Sequence, residues 1–280
     1  MTFTKMHGAG NDYIYVDCFN QQVKNPARTA IALSRYHYGV GGDGLVLICP
    51  SQRADCFMDI YNADGSRAKM CGNAVRCTAK YLFDRGRCGS TVEIDTLSGI
   101  KSVEIFAKNK ICTGGRVNMG KPVLNGRQIP TRFGKSVVRG EKISVLGKEY
   151  EITCLSMGNP HCVVFCDNAD SLPLDTIGRA FEHHEMFPQR INTEFVSVTG
   201  ENRLKFRVWE RGSGETLACG TGACAAAVAA VINGLCKRQS EIYISASGGE
   251  LSVLWSESGT VYLSGGACEV FSGEVSEIDF

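Results

Sequence analysis

Two stretches of this 280-residue chain are alike, and the distance between them recurs elsewhere. Met70-Cys71-Gly72-Asn73-Ala74-Val75-Arg76-Cys77 is echoed by Ala218-Cys219-Gly220-Thr221-Gly222-Ala223-Cys224, with Cys71 and Cys219 standing 148 positions apart. The same offset carries Asn11, in His7-Gly8-Ala9-Gly10-Asn11-Asp12, onto Asn159 of Met157-Gly158-Asn159-Pro160-His161. It also carries Tyr61-Asn62 onto Trp209-Glu210, each pair closing a strand-like run (Cys56 to Tyr61 and Leu204 to Trp209). Chance alignment of Gly- and Asn-rich loops seldom gives three landmarks one spacing. Repetition on this scale makes the chain two similar halves. Each half places one Cys and several polar groups alike, which implies a pseudo-symmetric site between them.

Alternating or apolar runs bounded by Gly, Asn and Asp predict short strands at 13–17, 44–49, 92–95, 103–106, 162–166, 195–198, 205–209, 242–246, 251–255 and 261–264. Helices are predicted at 29–36, 73–84, 174–183 and 222–233. Ala223–Ala230 is apolar on every face, so its helix is expected to be buried. A buried helix among many short strands, made twice, is a mixed α/β (α+β) architecture. No flexible linker marks the boundary, which is expected near Gly114–Gly120.

Composition narrows the function. Thirty Lys and Arg oppose twenty-nine Asp and Glu, so no broad basic face is on offer for nucleic acid or anionic lipid. The longest uninterrupted apolar run, Ala223 to Ile232, is far short of the ~20 residues of a membrane helix. Met1 to Gly8 lacks the apolar stretch of a secretory signal, and the expectation is a cytoplasmic protein. Fourteen cysteines are many, yet no CxxC pair occurs and His7, His37, His161, His183 and His184 form no zinc spacing with them. No metal site is expected. Cys18, Cys49, Cys56, Cys88, Cys112, Cys154, Cys166, Cys236 and Cys268 are read as small core residues, and Cys77 and Cys224 as packing residues.

Cys71 and Cys219 are different. Each stands directly before a predicted helix with Gly after it, where free backbone N–H groups and the positive helix end favour a thiolate. The same N–H groups can hold an anionic ligand. A thiolate there can attack an electrophile or remove a proton from the carbon beside a carboxylate. Asn159-Pro160-His161 keeps the first option open; two symmetry-related cysteines favour the second, since stereochemical inversion needs a base on one face and an acid on the other.

The motifs carry a resemblance. Phe3-Thr4-Lys5-Met6-His7-Gly8-Ala9-Gly10-Asn11-Asp12-Tyr13, Asn62-Ala63-Asp64-Gly65-Ser66, Met70-Cys71-Gly72-Asn73, Ser156-Met157-Gly158-Asn159-Pro160-His161-Cys162 and the run from Glu210-Arg211 to Gly222-Ala223 resemble the diaminopimelate epimerase family, in order and over almost the whole chain. The resemblance implies two pseudo-symmetric domains, each a strand barrel around a central helix, spanning 1–116 with 266–280 and 117–265. It implies a cofactor-independent isomerase that interconverts LL- and meso-2,6-diaminoheptanedioate by a two-base mechanism, acting as a homodimer. Cys71 and Cys219 match the paired acid and base, and His161 and Glu210 match positions that support catalysis. Gly72, Asn73, Gly220 and Thr221 match donors to the reacting carboxylate; Asn11, Asn62, Asn159, Asn192, Glu210 and Arg211 match substrate contacts. One departure is Gly44, where many relatives carry Gln; a glycine offers no side-chain contact and is left out of the site.

Each candidate has a plainer alternative. Asn beside Gly or Pro is by default a turn residue, Glu210-Arg211 reads equally as a solvated pair, and His161 as a satisfied structural histidine. Asp64, Lys69 and Arg76 are read as surface or supporting groups. Gly41-Gly42-Asp43-Gly44 resembles a phosphate loop, but no Gly-Lys-Ser/Thr follows. Competing functions are a racemase of a smaller amino acid, a cysteine-rich redox or metal protein, and a binding module that has lost catalysis. Arg211, Glu210 and the four asparagines weigh against the first, which needs no second charged anchor. The missing CxxC weighs against the second, and the presence of both cysteines against the third.

Overall fold

A computed structural model describes residues 1–276; residues 277–280 of the expected C-terminal tail lie outside the described residues. The chain forms two compact units, residues 1–118 with the segment from Ser264 onward, and residues 119–263.

In the first unit β1 (Thr2–Gly8) and β2 (Asn11–Asp17) pair antiparallel. Next come α1 (Pro26–Ser34) and β3 (Gly44–Cys49), which runs parallel to β2. β4 (Cys56–Asn62) lies antiparallel to β3 and holds the short β5 (Arg67–Ala68). After α2 (Gly72–Asp84), β6 (Thr91–Asp95) runs parallel to β4, and β7 (Lys101–Lys108) and β8 (Ile111–Gly120) continue antiparallel. β1, β2, β6 and β7 all pack on α2, whose residues from Gly72 to Leu82 are buried. Charges on so deep a helix need partners: Lys80 donates to Asp84 and to the Cys112 carbonyl.

The second unit repeats this order after an added strand, β9 (Val138–Val145), which pairs antiparallel with β10 (Lys148–Ser156). β11 (Pro160–Phe165), α3 (Leu174–Glu182), β12 (Asn192–Gly200), β13 (Arg203–Glu210), β14 (Gly214–Thr216), α4 (Gly220–Ile232), β15 (Glu241–Ala246), β16 (Gly249–Trp255) and β17 (Val261–Gly266) follow. Parallel and antiparallel pairings match the first unit step for step, β11 with β12 and β13 with β15 being the parallel ones. The offset of 148 places α1 on α3 and α2 on α4 residue for residue. β18 (Cys268–Glu274) returns to the first unit and pairs with β1, as β9 does with β10. The fold is the mixed α/β, two-fold repeated architecture that the resemblance implied.

α4 is enclosed as its alanines predict, Ala223 to Ala230 having no solvent exposure. Small side chains let β10, β11, β12, β13, β15 and β16 approach it together. α1 and α3 lie on the other face of their strands. α3 covers a core where Phe181 meets Phe195 edge-on at 5.4 Å and Tyr150 at 5.3 Å; α1 covers Ile14, Val16, Leu45 and Leu47.

Several helix limits move. α1 begins at Pro26, not Thr29, because Asn25 caps it through the Arg28 N–H and proline suits a first turn; it stops at Ser34, where Arg35 becomes extended. α4 begins at Gly220, not Gly222, since Cys219 is its N-cap. Cys268, expected in the core, is exposed, and Cys18, Cys49, Cys88 and Cys166 are only half-buried. Arg76, read as a surface or supporting group, is fully buried and supports Asn73.

Candidate functional site

The first unit gathers Cys71, Asn11 and Asn73. Cys71 is the N-cap of α2 with extended backbone, and its own side chain makes no capping bond. Its thiol instead donates to Asn11 Oδ1 at 3.3 Å, and Asn73 Nδ2 donates to the same oxygen at 3.4 Å. Asn11 is anchored from the other end: its Nδ2 donates to Asp43 Oδ2 at 2.7 Å. Burial pushes the Asp43 carboxyl up. Lys5 braces the loop through Asp12 and the Gly41 carbonyl. Arg76 donates to Asn73 Oδ1 at 2.8 Å and to the Gly72 carbonyl at 3.3 Å, fixing the first turn of α2. Asn62, at the end of β4, donates to Ser66 within its own turn. Gly44 is closed to any side chain, because a Cβ there would meet the Tyr61 carbonyl oxygen at 2.1 Å.

The second unit gathers Cys219, His161, Asn159 and a carboxylate that the sequence reading missed, Glu194. Cys219 is the N-cap of α4, again extended and again without a capping side-chain bond, its Sγ 3.5 Å from the Thr221 hydroxyl. His161 and Glu194 are wholly buried, with His161 Nδ1 2.7 Å from Glu194 Oε1 and Nε2 3.0 Å from Asn159 Oδ1. Burial pushes the Glu194 carboxyl up, and its Oε2 has no hydrogen-bond partner. Gly222 makes room for the pair, since a Cβ there would lie 2.8 Å from Glu194 Oε1.

The remaining candidates sit on the β12–β13 edge of the same unit. Asn192 is buried and spans two strands, its Nδ2 donating to the Pro160 carbonyl and its Oδ1 accepting from the Arg211 N–H. Glu210 accepts from the Thr216 hydroxyl at 2.5 Å. Arg211 is exposed and donates to the Gln189 carbonyl. Glu182, also missed from sequence, holds this turn by accepting from Trp209 Nε1 and from the Gly212 N–H.

Helix position alone favours a thiolate at Cys219, but the structure reverses that balance. Burial, then the neighbouring carboxyls of Glu210 and Glu194, push the Cys219 thiol well up, outweighing the Thr221 hydroxyl and the Gly222 N–H. Among the described residues no group of three His, Cys, Asp or Glu side chains could hold a metal ion, and no helix is long and apolar enough to cross a membrane.

The doubled α/β unit is a fold that solved structures of low sequence identity share. A probable proline racemase from Agrobacterium radiobacter, solved with bound carbonate, superposes with a TM-score of 0.70 at 12% identity, over 100% of this chain and 94% of that one. A phenazine biosynthesis protein of the PhzF family from Bacillus anthracis gives 0.69 at 15% identity, over 99% of each chain. Sequence similarity is narrower in what it matches. The diaminopimelate epimerase family model matches residues 3–125 and 153–270. The diaminopimelate epimerase of Acetivibrio thermocellus is 51% identical over 98% of both chains, and that of Methanococcus maripaludis is 47% identical over 98% of this chain and 99% of its own. The chain belongs to the diaminopimelate epimerase family and is an amino-acid epimerase.

Proposed function

We propose that this epimerase interconverts LL- and meso-2,6-diaminoheptanedioate by direct proton transfer, without a cofactor, with Cys71 and Cys219 as its two acid–base groups. One observation carries the reading: the two cysteines hold the same N-cap position on equivalent buried helices of 13 residues each. One of the two cysteines, as thiolate, takes the α-proton from one face of the carbon. The other, as thiol, gives one to the opposite face. Net charge is conserved, and the two groups exchange roles in the reverse direction.

An amino-acid α-proton is weakly acidic, so the developing carbanion needs aligned donors in a water-poor setting. Backbone N–H groups at Gly72, Asn73, Gly220 and Thr221 supply them, adding to the positive ends of α2 and α4. At the distal L centre Arg211 can fork a carboxylate and Glu210 can accept from an ammonium, with Asn62 and Asn192 completing the contacts. His161 and Glu210 support the chemistry from beside Cys219. The reaction belongs to lysine and cell-wall precursor biosynthesis, which places the enzyme in the cytoplasm, and its working form is a homodimer.

The test is incubation with the LL isomer in heavy water, with no pyridoxal phosphate. In the first turnover deuterium should enter only the α-carbon that inverts, as LL gives meso. Label at both α-carbons in that first-turnover product, or none here but rapid exchange with histidine or proline, contradicts the assignment.

A further inference from the structure

Asn11 and Asn159 occupy equivalent places, yet they are anchored by opposite ends. In the first unit the amide nitrogen of Asn11 is spent on Asp43, so its oxygen faces the Cys71 thiol. In the second unit the oxygen of Asn159 lies 3.0 Å from His161 Nε2. A ring nitrogen facing a carbonyl oxygen must carry the proton. Two protonation states give that arrangement: an ionised Glu194 with an imidazolium, or a neutral Glu194 donating to Nδ1 of a neutral ring. Both share one proton across the 2.7 Å contact.

One alternative leaves Glu194 ionised and Nε2 bare, with a net negative charge in a site that has no solvent exposure; a Glu194 protonated on Oε2 with Nε2 bare instead sets the lone pairs of Nε2 and Asn159 Oδ1 face to face at 3.0 Å. The charged and titratable neighbours oppose the first. Glu210 on β13 adds like charge, while the thiols of Cys219 on α4 and Cys162 on β11 offer no cation. Glu194 Oε2 has no hydrogen-bond partner, so an ionised carboxylate is stabilised through Oε1 alone.

We propose that the buried Glu194–His161 pair, sharing one proton, holds the Asn159 oxygen inward, so that Asn159 meets a substrate carboxylate as a fixed hydrogen-bond donor. Its Nδ2 has no protein acceptor among the described residues and is free for that use. This rests on the diaminopimelate reading only for the identity of the carboxylate. Glu194 and His161 are positioning residues here. The first unit shows that the fold does not require them, because the equivalent places hold Tyr13 and Val46.

Two measurements test it. The first uses the free enzyme with histidine ring nitrogens labelled with 15N, the His161 signals being assigned by their loss in His161→Gln. Nε2 should be protonated at neutral pH; a bare Nε2 overturns the proposal whatever the enzyme's substrate. The second transplants the first unit's packing into the second by His161→Phe with Glu194→Val. A buried ion pair replaced by apolar groups of similar volume often leaves stability unchanged or raised. The variant should melt no lower than the native enzyme, while KM for meso-diaminopimelate rises about tenfold. An unchanged KM overturns the proposal. Should the double variant not fold, Asn159→Asp decides: it keeps an oxygen toward His161 and turns the other toward the substrate. A KM raised by more than about tenfold supports the account, and an unchanged one refutes it.

Discussion

The two units share their strands, helices and register but differ in what they bury beside the central helix. Where β2 and β3 place Tyr13 and Val46, β11 and β12 place His161 and Glu194. Where the first turn of α2 has Ala74, that of α4 has Gly222, and the missing methyl is the space that Glu194 Oε1 occupies. Asp43 of the first unit corresponds to the buried Ile191 of the second, and Asn62 to Glu210. The scaffold is thus held by apolar packing common to both halves, while a few polar exchanges make the halves chemically unlike. A symmetric pair of proton carriers suits a carbon that inverts. An asymmetric lining suits a substrate whose second stereocentre must be left alone.

The comparison breaks most severely at the cysteines. Cys71→Ala or Cys219→Ala should lower net epimerisation by about two to four orders of magnitude, the usual worth of a positioned acid or base. Comparable turnover in either variant would show that the halves are not paired. A middle-sized effect is expected where the halves differ by one methyl. Gly222→Ala must displace Glu194 or Cys219, whose Cβ and Sγ lie 3.2 and 3.4 Å from the new atom, and kcat/KM should fall about tenfold. The converse, Ala74→Gly, has no such neighbour to release and should cost only about 0.5–1 kcal/mol of stability with activity kept. Thermal melts and initial rates on both variants check the contrast. The smallest effect concerns ionisation. Because Glu210 helps to hold the Cys219 thiol protonated, Glu210→Gln removes a negative charge, lowers the thiol's pKa and raises its thiolate fraction at fixed pH. Alkylation of Cys219 by iodoacetamide at pH 8, read by peptide mapping, should quicken severalfold. An unchanged alkylation rate would show that burial alone sets the thiol.

The halves were legible in the sequence because identical helix starts survive at one offset, and because the Ala-rich α4 has no polar face to mislead. The β9–β10 hairpin was not legible. Its two-residue turn is Leu146-Gly147, both at positive φ (52° and 77°), which is the geometry usually signalled by Asn-Gly. The β7–β8 turn at Asn109-Lys110 hides likewise. Glu194 escaped for a different reason. A carboxylate just before Phe195-Val196 reads as the solvent side of an alternating strand, but α3 and α4 cover β12 on both faces, so no side faces water. Asp43 lay in a Gly-rich loop whose only evident use was phosphate binding. Its role emerges when the parallel pairing of β2 and β3 brings it to Asn11.

The claim that matters most is that each half carries one proton to its own face of one carbon. Hydrogen exchange in heavy water with the two single cysteine variants tests it directly. With one thiol gone, the other can still remove and return a proton on its own face, exchanging the α-hydrogen without inverting the centre. The account predicts that Cys71→Ala exchanges only one of the LL and meso isomers at its reactive carbon, and that Cys219→Ala exchanges only the other. If both variants exchange the same isomer, or if either still inverts it, the two halves do not divide the proton transfers between them.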